Sequence, residues 1–189
     1  MIAQRLARPL AVAAAVATTT LLLQAAPLAV AEPVPAMAEP SPRELKDQTL
    51  AAVNAARAKY GAGPLTWSDD LHPGAEEHAI KCKYEHSASE GKYGEAMYGS
   101  SAYTANVGDA VKAWIEQGSA YDYSKPGLQS ETRYFSQLVW KSTSKISIAV
   151  ATCPAGSILP KPMRFFVARF TEAGNMPGQF EENVGRPVT

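Results

Sequence analysis

Charge of one sign is missing from this 189-residue sequence: 18 lysines and arginines face 18 aspartates and glutamates, interspersed without runs. That balance gives no basis for electrostatic capture of nucleic acid or of an anionic membrane. No apolar run reaches the roughly 20 residues that a membrane-spanning helix needs. The longest, residues 10–23, is 14 residues of mostly Ala, Val, Thr and Leu. No Gly-x-Ser-x-Gly elbow is present, which removes one common frame for a nucleophilic serine. Cysteine is limited to Cys82 and Cys153, so one disulfide is the most the chain can close on itself.

What is there begins with a targeting pattern. Arg5 and Arg8 precede the apolar run, and Ala29-Val30-Ala31 offers a small-x-small cleavage site. This order reads as a secretory signal over residues 1–31, leaving no transmembrane segment in the mature form. Residues 32–42 (EPVPAMAEPSP) are rich in proline and read as an extended linker. One domain follows, over residues 43–189, without internal repeat. Export places the two cysteines in an oxidising compartment, which favours a Cys82–Cys153 bond; two buried thiols are the alternative.

Periodicity predicts the elements. Ser41-Pro42-Arg43-Glu44 is a capping box, and Leu45, Thr49, Ala52, Val53, Ala56 and Tyr60 recur at helical spacing up to Gly61. A short extended piece covers residues 65–67. A second helix is expected over residues 69–83, with His78 on its apolar face, and a third over 106–121 with the stripe Val107, Ala110, Val111, Trp114, Tyr121. A short helix at 132–141 follows. Ile146, Ile148 and Val150 then alternate as a half-buried strand. Residues 163–170 carry large apolar groups on both faces and read as a central strand covered twice. Helices first and strands later imply an α+β fold with antiparallel pairing.

Several segments together resemble a known family. Leu71-x3-Ala75-x2-His78-Ala79-x2-Cys82-x3-His86-Ser87 looks like the approach to its His-Ser pair, Tyr93-Gly94-Glu95-Ala96 its Gly-Glu-Asn motif, and Arg133-Tyr134-Phe135-Ser136-Gln137-Leu138-Val139-Trp140 its Gly-His-Tyr-Thr-Gln-x-Val-Trp signature. With Phe166-Val167-Ala168-Arg169-Phe170, Ala173-Gly174-Asn175 and Phe180-Glu181-Glu182-Asn183-Val184, the ordered set is similar to the CAP superfamily of cysteine-rich secretory, venom-antigen and plant pathogenesis-related proteins. Its Golgi-associated plant-pathogenesis-related branch is the most similar. The resemblance implies a three-layer α-β-α sandwich with a central antiparallel sheet, a secreted extracellular location, and a monomer or homodimer.

The resemblance also implies a cleft of two histidines and two glutamates. Here the matching positions are His86, Glu95, Gln117 and Tyr134, with Glu116 one residue from the second carboxylate position. Two of four members have changed type, so no cofactor is expected. Zinc at His86 and Glu95 is a weak alternative, because zinc sites take three or four protein ligands. His78 reads as a packed core residue, and His72 as a surface or capping one. Ser87 and Ser136 lack a base and an orienting third group in sequence, so no catalytic residue is assigned and hydrolysis is a minority reading. The loop Tyr121-Asp122-Tyr123-Ser124-Lys125-Pro126-Gly127-Leu128 resembles the aromatic loop with which some members bind sterol. It makes Tyr121, Tyr123, Pro126, Gly127 and Leu128 candidate contacts for a lipid or sterol-like ligand. For Tyr121 and Tyr123 the alternative is packing back onto the core. A cell-surface or secreted protein partner is the second functional reading.

Overall fold

A computed structural model describes residues 39–188. The expected signal segment and residues 32–38 of the linker lie outside the described residues. Helix α1 (Pro42–Ala58) starts at the expected capping box: Ser41 Oγ accepts from the Glu44 amide, and the Glu44 carboxylate accepts from the Ser41 amide. It stops where Gly61 takes φ +65°, a left-handed turn that glycine enters without a Cβ penalty.

Strand β1 (Thr66–Trp67) leads to helix α2 (His72–Ile80), shorter at both ends than the expected 69–83. Pro73 in its first turn suits a helix start, and Cys82 at φ +50° ends it. Strand β2 (Gly94–Ser100), not foreseen as a strand, comes next. Helix α3 (Val107–Glu116) carries an Asn106–Asp109 capping box and tightens into a 3₁₀ turn at Gln117–Ala120, where a continuous helix to Tyr121 was expected. A second 3₁₀ turn, Ser130–Thr132, opens helix α4 (Arg133–Leu138). Strands β3 (Lys145–Cys153) and β4 (Met163–Thr171) follow, then the single turn α5 (Phe180–Asn183).

The strand order is β1-β3-β4-β2. β4 pairs antiparallel with β2 and β3, while the short β1 runs parallel to β3, so the sheet is antiparallel except at that edge. Side chains of β4 divide between two layers, as their alternation requires. Phe166, Ala168 and Phe170 join Val53, Val111 and Trp114 beneath α1 and α3; Phe165 and Val167 join Ala75 and Ala79 beneath α2. The expectation that β3 is half-buried is corrected. Ser147 and Ala149 face α2 and are as buried as Ile146 and Ile148, because helices cover both faces of this strand.

Two features hold the layers in register. Cys82 and Cys153 are bonded, tying the end of α2 to the end of β3. Arg57, fully buried on α1, meets no carboxylate among the described residues; its guanidinium donates to the carbonyls of Gly63, Leu138, Trp140 and Thr143 at 2.6–3.2 Å. Burial lowers its pKa to about 10, which leaves it charged at neutral pH.

Candidate functional site

Glu95 and Arg169 are brought together by strand register. They are directly opposed across β2 and β4, on the face that packs against α2. The Glu95 side chain is 4% exposed, and its Oε2 lies 3.5 Å from Arg169 Nε. The 82–93 connection then folds back over it. Ser87 donates its amide to Oε1 at 2.9 Å and its hydroxyl to Oε2 at 2.5 Å, and His86 Nδ1 lies 3.2 Å from Oε1. Arg169 is also stacked 4.2 Å over the Tyr93 ring, whose hydroxyl contacts Ser87 Oγ. Burial alone pushes the Glu95 carboxyl up. The hydrogen bonds from His86 and Ser87 outweigh it and hold the pKa at about 2. Glu95 is therefore a saturated anion that fixes the His86-Ser87 turn.

A cleft of about 510 Å³ opens beside this network. His86, Ser87, Tyr93 and Glu95 form one wall, Arg133 and Gln137 another, and Ala173, Gly174, Asn175 and Met176 a third, with Leu128 at the rim. Gln137 is buried and accepts from the Gly174 amide at 2.9 Å. A Cβ on Gly94 would collide with the Gln137 amide, which is why that wall is bare backbone. Asn175 accepts from Ser136 Oγ and donates to the Arg133 carbonyl, clamping α4 to the loop after β4.

The expected tetrad does not assemble here. His86 and Glu95 line the cleft, but Gln117, Tyr134 and Glu116 do not. Gln117 Oε1 accepts from the amides of Tyr134 and Phe135 at 3.1 and 3.3 Å and so caps α4. The Tyr134 ring sits edge-on to His86 and to Trp114, at 5.9 and 6.5 Å, and burial pushes its hydroxyl far above the usual phenol range. Glu116 points to solvent, 3.9 Å from Lys112, because one residue turns a helical side chain by about 100°.

The 121–128 loop divides its candidates. Tyr121 packs into the core against Phe135 and Tyr123. Tyr123 lies under Arg186 and donates to the Gly185 carbonyl at 3.2 Å. Together with Pro126 they line a separate cavity of about 500 Å³ against the C-terminal segment. Tyr121 thus takes the alternative left open for it, packing back onto the core, while still lining that cavity. Leu128, 63% exposed, lines the cleft instead, as does Met176. Of the other two histidines, His78 is the packed core residue expected, whereas His72, expected at the surface or as a cap, is half-buried and bonds Ser147 rather than capping α2. His78 is buried with Nε2 2.8 Å from the Glu85 carbonyl, and His72 sits in the first turn of α2 beside Ser147 and Trp67.

Residues 50–170 match a family profile, CAP (cysteine-rich secretory protein family). The chain belongs to this family. Among curated CAP proteins it is 30% identical over 159 residues to the human Golgi-associated plant pathogenesis-related protein 1, covering 80% of this chain and 99% of that one. It is also 30% identical to the maize pathogenesis-related protein PRMS, over 76% of this chain and 84% of that protein. The solved hookworm platelet inhibitor superposes with a TM-score of 0.63 at 19% identity, covering 79% of this chain and 80% of that one. NaASP2, solved with Zn2+, gives 0.61 at 20%, with 76% and 87% covered. At that identity the solved structures speak for the fold alone.

Zinc tests the cleft's donors. His86 is its one imidazole, both Glu95 oxygens are engaged, and the positions that would complete a tetrad hold a capping amide and a packed phenol. Among the described residues no three His, Cys, Asp or Glu side chains are grouped to hold a metal ion. The donor set does not fit zinc.

Sequence reasoning missed Arg169, Arg133, Gln137 and Asn175. The signal for Arg169 was a cation within the apolar run Phe165–Phe170, which needs a buried anion nearby. The others became visible only once the loop after β4 was packed on α4.

Proposed function

We propose that this CAP protein is an exported, non-enzymatic binding module whose cleft holds a lipid or sterol-like ligand. The observation that supports this is the presence of Leu128 and Met176, both exposed, in the lining of a cleft of small-molecule size whose other walls carry polar side chains. Export rests on the Arg5/Arg8, apolar-run and Ala29–Ala31 pattern, and on the disulfide. Binding is non-covalent and needs no cofactor. Ser87 Oγ is bonded to Glu95 and Tyr93 and Ser136 Oγ to Asn175, so neither serine contacts an imidazole base. A protein partner is the second reading, favoured by the protrusion of Leu128 at 63% exposure, which a partner's pocket could take.

Native mass spectrometry of the mature chain tests the proposal, titrated separately with cholesterol, fatty acids and zinc. A one-to-one lipid adduct is expected, weakened in Leu128→Asp and retained in Tyr123→Ala. No lipid adduct refutes the carrier reading and favours a protein partner. A stoichiometric zinc adduct lost in His86→Ala refutes the metal-free cleft.

A further inference from the structure

We propose that the cleft selects amphiphiles with an anionic headgroup, and that Arg133 reads that charge. This rests on the reading of the cleft as a ligand site and narrows its ligand class.

The charges around the cleft do not cancel. Glu95 is already neutralised by Arg169 and saturated by Ser87 and His86. Lys92 and Glu90 pair with each other at 3.0 Å. Arg133 lines the cleft, is exposed, and belongs to none of the ion pairs among the described residues. One of its donors, Nε, is spent on the Ser130 carbonyl at 2.9 Å. That bond orients the planar fork and leaves the terminal nitrogens free for a carboxylate or phosphate. Glu131 is close in sequence but does not pair with it. Its carboxyl is held down first by the Ser130 hydrogen bond and its own backbone, and Arg133 is the smallest influence.

The base of Arg133 is also fixed. Its carbonyl accepts from Asn175 Nδ2, and the next two amides are capped by Gln117. A cation on a braced backbone needs little ordering when a ligand arrives. Beside it, His86 has committed Nδ1 to Glu95, which leaves Nε2 for a second polar contact. Apolar surface lines the same cleft, in Leu128 and Met176. Cation, hydrogen-bonding floor and apolar rim together match a charged head joined to an apolar tail.

Titration of the mature chain with monomeric dodecanoate, dodecyl phosphate and neutral dodecanol separates the possibilities. Both acids are expected to bind at least about tenfold more tightly than dodecanol, the scale of one charge-assisted contact. The ratio between carboxylate and phosphate then identifies which head is preferred. Arg133→Gln should bring the acids down to the alcohol's affinity without changing the alcohol, and Arg133→Lys should keep part of the preference. Thermal melts of both variants should match the parent. Equal affinity for acid and alcohol, or a preference that survives Arg133→Gln, overturns this inference and leaves the carrier reading standing. Failure of all three ligands to bind overturns this inference, and overturns the carrier reading as well only where cholesterol also gives no adduct.

Discussion

Glu95→Gln is the substitution that best separates structural from reactive roles in the cleft. The wild-type carboxyl sits at about 2, against 4.5 for a free side chain. Because the folded value is depressed, the unfolded chain takes up the proton first as pH falls. The contribution is therefore fully present above about 4.5 and is lost progressively as pH falls toward 2. At about 1.4 kcal/mol per unit, the shift corresponds to about 3 kcal/mol at neutral pH, of which about 2 kcal/mol has gone by pH 3. The side chain is 4% exposed, so solvent screening removes little of this. Glutamine keeps the shape but not the charge, and leaves the Arg169 guanidinium without its anion. Urea unfolding of both proteins at pH 7, 5, 4 and 3 reads the effect. Glu95→Gln should be less stable by about 3 kcal/mol or more at pH 7, and the gap should narrow by about 2 kcal/mol at pH 3. Parallel stability curves from pH 7 to 3 would refute the account of Glu95 as a clamped, permanently ionised group.

Two further outcomes follow from the way the layers are joined. Replacing Cys82 and Cys153 together by alanine opens a link spanning 71 residues and should cost about 4 kcal/mol on the chain-entropy model, measured by unfolding midpoints with and without reductant. Arg57→Met strips donors from four carbonyls and should destabilise by about 4 kcal/mol; a loss below about 1 kcal/mol would mean that water replaces the guanidinium.

Much of the fold was legible because local rules carried it. The Ser41–Glu44 capping box, the apolar stripe of α3 and the two-faced β4 each state their surroundings in a few adjacent residues. Strand β2 was not legible. Its sequence, GEAMYGS, has two glycines and one apolar pair, and only pairing with β4 makes it a strand. Alternation in β3 suggested one wet face, but Ser147 hides under α2 with His72 for a partner.

The site divides along the same line. Sequence alone determined family, the pairing candidates Cys82 and Cys153, and the loss of one histidine and one glutamate from the expected tetrad, since these depend only on which residues stand in order. Tertiary structure decided what each residue does. Register placed Arg169 opposite Glu95, packing turned Tyr121 inward and Leu128 outward, and the loop after β4 moved the cleft toward Arg133 and Asn175. The physical reason is that a side chain's direction and charge state depend on neighbours distant along the chain, which no local pattern records.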